Sequence, residues 1–455
     1  MSPSRVLRSA LSRRTFLAST ALAPIGCSTR AERRRPNVVL IMADDLGVEC
    51  LGCYGGSSYR TPNLDRLAAG GVRFTHAYST PLCTPTRVQL MTGKYNFRNW
   101  RAFGILDPNA RTFGHLMREA GYRTVISGKW QLYSYNPPDF MPEWRGRGMR
   151  PEQSGFEEYH LWHAGHTEEK GSRYADPTIL VNGRLRTDTK GKYGPDLYTD
   201  YLLDFLERHA SEPVFAYYPM ALTHGPFNPT PHSPVWRTGD RLENDPKYFK
   251  DMVEYMDHLV GRIVARLEAL GLRERTLLLF YSDNGTPNQV TSEFQGRPFR
   301  GGKGEMTDAG THVPLIANWP GTIPAGRVLD DLVDSTDFYP TLADLAGAAL
   351  DKEGPIDGRS FLPQLRGEPG HPRAWVYCDH NPHPGWSKER FTQQRWARDR
   401  RYKLYDDGRL FDLPQDPAEE RPLPPEALPE VRARLQAVLD RYPPIPTKPD
   451  TLPPE

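Results

Sequence analysis

Apolar residues follow one another along this chain in two rhythms. Unbroken apolar runs at 37–43, 124–127, 214–218 and 276–282 suit strands covered on both faces. Between them the spacing changes to three and four. Phe249, Met252, Val253, Met256, Leu259, Val260, Ile263, Val264 and Leu267 form one stripe of period 3.6, which predicts a helix whose Met residues belong to the core. Capping signals frame the other helices. Thr61-Pro62 opens a short one stopped by Gly70-Gly71, Thr112 starts one through Ala120, Asp196 one to about His209, and Thr336 one to Ala346. Residues 72–78 read as a strand, and Cys83 precedes a helical run at 88–91 that Gly93 stops. Residues 313–318 form a further apolar segment. Strands alternating with helices predict an α/β fold: a large, mostly parallel (mixed) sheet flanked by helices.

The texture changes in three places. Residues 134–195 are rich in Pro, Gly, Trp and charge and lack periodicity, which predicts a long insertion shaping a substrate pocket. Beyond about 350, short mixed segments and an amphipathic helix at 431–442 predict a small C-terminal α+β subdomain. The expected division is 1–35 leader and linker, 36–349 catalytic α/β domain, 350–442 C-terminal subdomain and 443–455 Pro-rich tail. In the leader, Ser12-Arg13-Arg14-Thr15-Phe16-Leu17 resembles a twin-arginine export signal. Pro24-Ile25-Gly26-Cys27 resembles a lipoprotein cleavage box, although Pro24 fits its first position poorly. The expected location is periplasmic or extracellular, with Cys27 the candidate lipid anchor. No later stretch is apolar enough to cross a bilayer.

Composition narrows the chemistry. The 455 residues suffice for a large core, and 58 Lys+Arg against 56 Asp+Glu leave no electrostatic case for nucleic acid. Outside the leader, Cys50, Cys53, Cys83 and Cys378 make no disulfide framework, and Cys50-x-x-Cys53 lacks a second pair for zinc and reads as ordinary packing. Ligands of parallel sheets bind beyond the carboxyl ends of the strands. Asp44-Asp45, Lys129, His224 and Asp283-Asn284 all follow predicted strands. Cys83 sits where a helix dipole is positive, with Arg87 one turn on. Three carboxylates and an amide oxygen suit a hard cation, and Arg87, Lys129 and Lys303 add surplus positive charge. Such a site takes a tetrahedral oxyanion, so sulfate or phosphate esters are the candidate substrates.

The pattern Cys83-x-Pro85-x-Arg87 resembles the signature of the type I, formylglycine-dependent sulfatases of the alkaline-phosphatase-like superfamily. Asn37 to Asp45 with Leu46-Gly47, Thr61 to Asp65 with Gly71 to Phe74, Gly128-Lys129-Trp130, His224 with Pro226, Asp283-Asn284-Gly285 and Gly302-Lys303-Gly304 extend the resemblance from Arg35 to about Leu345. It implies an alkaline-phosphatase-like fold and conversion of Cys83 to formylglycine by a separate maturation enzyme. It makes Asp44, Asp45, Asp283, Asn284 and the modified Cys83 the metal ligands, with Ca2+ the usual ion and Mg2+ the alternative. Arg87 would hold the hydrated aldehyde, Lys129 and Lys303 the sulfate oxygens, and His224 with Lys303 would assist the leaving oxygen. The implied activity is hydrolysis of O-sulfate esters of a sulfated glycan or small molecule; the alternative is a phosphonate monoester or phosphodiester hydrolase of the same superfamily. An inactive binding protein on this fold is disfavoured, because every charged site position is filled.

The chain departs from that pattern at Gln131, where the family usually has His; an amide can hydrogen-bond sulfate but cannot take its proton. His312 is either a substitute base or a plain loop residue. Trp144, Trp162, Trp236 and Trp386 are either sugar-stacking rings or ordinary aromatics. His160, His163 and His166 are either a second metal site or a polar loop.

Overall fold

A computed structural model describes residues 35–350 and 354–448. The twin-arginine-like segment, Cys27 and the end of the Pro-rich tail lie outside them. Among the described residues no helix is long and apolar enough to cross a membrane.

The strand β1 (Asn37–Ala43) shows why its sequence is an unbroken apolar run: all seven residues are buried. Successive side chains of a strand point to opposite faces. Val39, Ile41 and Ala43 therefore enter one core, and Val38, Leu40 and Met42 the other. Both faces are covered, so alternation with polar residues would leave unpaired groups in one core.

Around β1 lie β2 (Val72–Tyr78), β3 (Arg123–Lys129), β4 (Glu158–Trp162), β5 (Leu180–Val181), β6 (Arg184–Leu185), β7 (Val214–Pro219) and β8 (Thr276–Ser282). A hairpin of β9 (Thr291–Phe294) and β10 (Arg297–Arg300) stands apart; β11 (Leu315–Asn318) and β12 (Arg327–Asp334) rejoin the main sheet. Its ten strands run β12-β2-β11-β8-β1-β7-β3-β4-β5-β6. The pairs β8–β1, β1–β7, β7–β3, β3–β4 and β12–β2 are parallel, whereas β11, β5 and β6 pair antiparallel, so the sheet is mixed.

On one face pack α1 (Pro62–Ala69), α4 (Gly194–Arg208) and the long striped helix α5 (Tyr248–Ala269). The other face takes α2 (Cys83–Thr92), α3 (Phe113–Glu119), α7 (Phe338–Ala346) and α8 (Leu362–Arg366). Thr112 caps α3 as its sequence predicts, accepting from the Gly114 amide at 3.1 Å.

Three sequence expectations need correction. Residues 134–195 are not only loop, because β4, β5 and β6 extend the sheet; two of these strands have two residues each, too short for any periodicity to register. Asp196 lies in the first turn of α4 rather than at its cap, and its carboxylate accepts from the Tyr255 hydroxyl at 2.8 Å and from Arg262 at 3.1 Å. Asp334, not Thr336, caps the turn leading into α7, because its carboxylate accepts from the Thr336 amide at 2.9 Å.

The C-terminal segment forms an antiparallel sheet of β13 (Val376–His380), β14 (Gln394–Arg398), β15 (Tyr402–Tyr405) and β16 (Leu410–Asp412), covered by α9 (Pro429–Arg441). It reaches the loop before α6 (Asp308–Thr311) through buried charge. Arg398 donates to both Asp308 oxygens, at 2.9 and 2.8 Å. Lys403 donates to the Met306 carbonyl at 2.7 Å and to Glu419 at 2.9 Å, and Glu419 accepts from the Asp308 amide at 2.7 Å. These contacts fix the loop that begins with Lys303.

Removing one partner of a buried ion pair leaves the other charge dry and unpaired, at about 3–5 kcal/mol. Arg398→Met is accordingly expected to lower unfolding stability by about 3 kcal/mol, measured from denaturant midpoints. An unchanged midpoint would show that the Asp308 cluster does not hold the two sheets together.

Candidate active site

The strands β8, β1, β7 and β3 are consecutive neighbours, and each releases its chain at the same edge. Asp283 and Asn284 leave β8, Asp44 and Asp45 leave β1, His224 follows β7, and Lys129 ends β3. Backbone bonds tie the exits together: Asp44 N–H donates to the Leu222 carbonyl at 2.8 Å, Thr223 N–H to the Asp44 carbonyl at 2.6 Å, and Leu46 N–H to the Asn284 carbonyl at 3.0 Å. The Asp45 amide donates to Asp283 Oδ1 at 3.1 Å.

Cys83 is the first residue of α2 and 4 % exposed. Every residue of this helix is buried, and Gly93 ends it at φ 69°, the left-handed conformation glycine adopts freely. Its polar side chains are satisfied locally: the Thr86 hydroxyl pairs with the Thr80 hydroxyl at 2.7 Å, and Gln89 donates to Asn96 at 2.7 Å and accepts from Ser335 at 2.6 Å. Cys83 thus stands on a fixed mount, at the end where the helix dipole favours negative charge.

The charges interlock. Arg87 donates through Nε and NH2 to Asp283 Oδ2, at 3.0 and 2.7 Å, and its buried NH1 has no hydrogen-bond partner among the described residues. The Lys129 ammonium spans both Asp44 oxygens at 3.0 and 2.9 Å. Lys303 donates to Asp45 Oδ2 at 2.6 Å, and His224 Nε2 lies 3.8 Å from the same oxygen. Burial alone would raise Asp44, but the charges of Lys129, Arg87 and Arg173 overcome it and hold the carboxyl well below the usual range. Burial and the Asp44 charge push Asp283 up to about 7 despite Arg87. Burial also lowers His224, helped by Lys303 and Arg173 and opposed by Asp45, so its ring is neutral. Its Nδ1 faces the Gly225 carbonyl at 2.6 Å, an oxygen that can only accept. Nδ1 therefore carries the hydrogen, and Nε2 offers a lone pair toward Asp45.

The donor set fits a hard divalent cation. Asn284 Nδ2 donates to Asp45 Oδ1 at 2.8 Å and to the Gly285 carbonyl at 2.9 Å, and its fully buried Oδ1 has no hydrogen-bond partner among the described residues. A buried orphan oxygen beside three carboxylates is a ligand atom in waiting, and the upward push on Asp283 is a charge imbalance that a dication relieves. Asp44, Asp45 and His224 present ligand atoms within 4.8 Å of one another, so His224 joins a group for which the sequence names Asp44, Asp45, Asp283, Asn284 and the modified Cys83. Asp283 faces Arg87 and the Asp45 amide instead.

Other sequence candidates fall elsewhere. Gln131 is 8 % exposed, and its backbone amide donates to the His163 carbonyl at 3.1 Å. His312 faces the Thr75 carbonyl at 2.8 Å and stacks on Tyr78, so it serves β2. His160 pairs with Arg186, His163 with Thr167 and His166 with Ser134; the three do not converge. Trp144, Trp162 and Trp236 are buried, which leaves Trp386, 37 % exposed, as the accessible ring of the four. Cys50 and Cys53 carry no disulfide.

Several site residues went unnoticed in the sequence. Arg173 lies over the Trp162 ring at 3.9 Å, with NH1 3.7 Å from Asp44 and no hydrogen bond for that nitrogen. It comes from the aperiodic insertion, where nothing distinguishes it from other arginines. A cavity of about 550 Å³ opens on Asp45, His224 and Lys303, and the C-terminal segment adds Arg390 and Phe391 to its wall. A wider depression of about 850 Å³ between Pro108 and Gln153 contains none of the site residues.

A cation pocket, a buried Cys on a helix terminus and surplus cations at one sheet edge define a hydrolytic site for tetrahedral oxyanion esters. The family described as Sulfatase matches residues 36–348, and the one described as N-sulphoglucosamine sulphohydrolase, C-terminal, matches residues 302–442. Steryl-sulfatase of Mus musculus is 31 % identical, over 89 % of this chain and 81 % of its own. Two solved structures share the fold. One, solved with its substrate D-glucosamine-2-N,6-O-disulfate, is 22 % identical with a TM-score of 0.72, covering 90 % of this chain and 97 % of its own. The other, the phosphonate monoester hydrolase of Agrobacterium radiobacter, is 23 % identical with a TM-score of 0.66, covering 90 % and 94 %. The chain belongs to the sulfatase family. It is a hydrolase of sulfuric ester bonds on an alkaline-phosphatase-like fold.

A ligand that binds only the folded state stabilises it by mass action, about 2.7 kcal/mol at a hundredfold excess over Kd. Calcium or magnesium is expected to raise the unfolding temperature of the wild-type chain, and Asn284→Ala to shrink that rise. Equal unfolding temperatures in excess chelator and in millimolar cation would reject the cation site.

Proposed function

We propose that the chain hydrolyses O-sulfate esters of a sulfated carbohydrate through a formylglycine made from Cys83. The observation that carries this reading is Cys83 itself, buried at the start of α2, with Arg87 NH1 unpartnered one turn further on. The hydrated aldehyde supplies one hydroxyl to attack sulfur and a second that lets sulfate leave by carbon–oxygen cleavage, which a plain Ser cannot do. A divalent cation, Ca2+ in this reading, supplies Lewis acidity when held by Asp44, Asp45, Asp283, Asn284 and the modified Cys83.

The remaining work falls to this chain's side chains. Arg87 uses NH1 to orient the hydrate, because Nε and NH2 are engaged by Asp283 and NH2 also faces Asp44 at 3.6 Å. Lys129, fully buried on Asp44, fixes that carboxylate and adds positive charge beneath the sulfate. Lys303 lines the cavity and is 21 % exposed, so it reaches the ester. Burial alone would lower its pKa, but Asp45 and Asp44 raise it, and the ammonium is charged at neutral pH. It is the proton donor to the departing alcohol. His224, whose Nε2 lies 3.8 Å from the Asp45 oxygen that accepts from Lys303, stands beside that donor and assists at the leaving oxygen. Gln131 holds a sulfate oxygen without taking a proton.

Phe227 and Phe391, with Asn288 and Gln289, give the cavity apolar faces beside amide groups, which supports a sugar as the group released. The curated relatives favour sulfate over the phosphonate and phosphodiester alternative. The twin-arginine-like segment supports export, and the formylglycine implies a maturation enzyme as partner.

Mass spectrometry of the tryptic peptide containing Cys83, after co-expression with a formylglycine-generating enzyme, is expected to show loss of the thiol and gain of an aldehyde. The matured protein is expected to hydrolyse an aryl sulfate at least about tenfold faster than an aryl phosphodiester, a difference of about 1.4 kcal/mol in barrier. An unmodified thiol, or the reverse preference, would sink the proposal. Gln131→His is expected to leave turnover intact or raise it; a loss beyond about tenfold without a change in unfolding temperature would give the amide a role of its own.

A further inference from the structure

The C-terminal segment that reaches the cavity is pinned on several sides. Trp100 Nε1 donates to the His383 carbonyl at 2.7 Å, His383 Nε2 bonds the Phe391 carbonyl at 2.7 Å, and the Phe391 amide donates to the Lys388 carbonyl at 3.0 Å. Phe391 lies directly on the Lys303 loop: a Cβ on Gly304 would meet its ring at 2.7 Å. Residues 383–391 therefore form a built wall.

That wall carries two cations without counter-ions. Lys388 is 7 % exposed, and its ammonium sits 4.1 Å from the Phe103 ring centre and 5.2 Å from that of Tyr135. It donates to the Trp386 carbonyl at 3.1 Å, and no carboxylate of the described residues pairs with it. A buried ammonium is costly unless an anion meets it. Burial lowers it to about 8; Cys83 and Glu389 oppose that shift, while Lys303 and Arg390 add to it, so all four lie within electrostatic reach. Arg390 stacks 4.8 Å over Phe391, lines the cavity, and likewise pairs with no carboxylate of the described residues. The acids on the cavity wall are engaged elsewhere: Asp45 accepts from Lys303 at 2.6 Å, and Glu305 is held by Asn288 at 2.8 Å and faces Arg300 at 4.0 Å. The scissile sulfate is matched by Lys303, Arg87 and the metal site, which leaves these two cations unassigned.

We infer that Arg390, backed by Lys388, binds a second anionic group on the departing part of the substrate, so that the substrate class is a sulfated sugar carrying a further sulfate or carboxylate. This rests on the sulfatase reading above. Phe227 and Phe391 offer faces to the sugar ring, Asn288 and Gln289 meet its hydroxyls, and the guanidinium takes the added charge in paired, charge-assisted hydrogen bonds.

The test measures dissociation constants by calorimetry on the full-length Cys83→Ser chain, which binds without turnover. The probes are N-acetylglucosamine 6-sulfate with one anion, glucosamine 2-N,6-O-disulfate with two sulfates, and a monosulfated disaccharide containing a uronate. At least one doubly anionic sugar is expected to bind about tenfold tighter than the singly anionic one, as a charge-assisted hydrogen bond warrants; which one wins identifies sulfate or carboxylate as the second group. Adding Arg390→Ala is expected to abolish that advantage while changing the affinity of the singly anionic sugar by less than about twofold. Arg390→Lys is expected to restore part of it, and Lys388→Met to reduce it at an unchanged unfolding temperature. Equal affinity for all three sugars, or an equal loss for all three in Arg390→Ala, overturns the inference. If the matured wild-type enzyme hydrolyses aryl sulfate while Cys83→Ser shows no preference, this inference alone fails; if it hydrolyses no sulfate ester, the sulfatase reading fails first.

Discussion

Three carboxylates with almost no exposure at one sheet edge are the constraint around which the rest of this molecule is arranged. Asp44, Asp45 and Asp283 are at most 1 % exposed. Like charges brought this close in a dry place disfavour one another, as the upward push on Asp283 shows. The fold answers with cations from every direction: Arg87 from α2, Lys129 from β3, Lys303 from the loop before α6, and Arg173 from the insertion. None of these is close in sequence to the carboxylates. A parallel sheet is the economical way to bring them together, because neighbouring strands release their chains at the same edge. The charge cluster and the topology explain each other.

The C-terminal sheet belongs to this arrangement rather than hanging beside it. Arg398 and Lys403 hold Asp308 and Met306, and those residues end the loop that starts with Lys303. Phe391 covers Gly304 on the same loop. Lys303, which lines the cavity, thus owes its position to a segment that contributes none of the carboxylates. Residues 302–442 also match a family description of a sulphohydrolase C-terminal region, and that span includes both the loop and the sheet that clamps it.

The sequence made the sheet edge legible because burial on both faces writes itself as unbroken apolar runs, and the residues just after such runs are the edge. Asp44, Asp45, Lys129, His224, Asp283 and Asn284 could all be found this way, and Cys83 by the helix it begins. What could not be found depends on contacts between distant segments. Arg173 is one arginine among many until Trp162 appears beneath it. Lys388 and Arg390 lie in a stretch with no period at all, and only the fold reveals that no acid meets them. Two of the three strands of the insertion, β5 and β6, escaped because two-residue strands carry no alternation. The neutral state of His224 is set by neighbours, and its tautomer by one carbonyl, neither of which residue type can tell.

The helix bearing Cys83 shows what burial does for the placement of a side chain. Surface helices keep one polar face and flex at it; α2 has none, since all ten of its residues are buried. Its Thr84, Thr86 and Gln89 spend their hydrogen bonds on Gly104, Thr80, Asn96 and Ser335. Such a helix cannot shift without breaking several of these bonds in the dry, where each unsatisfied group costs about 1–3 kcal/mol. The polar residues inside α2 are therefore best understood as fixing the position of Cys83 relative to Arg87 and the carboxylates, which an apolar helix of equal burial, free to slide against its neighbours, would not do.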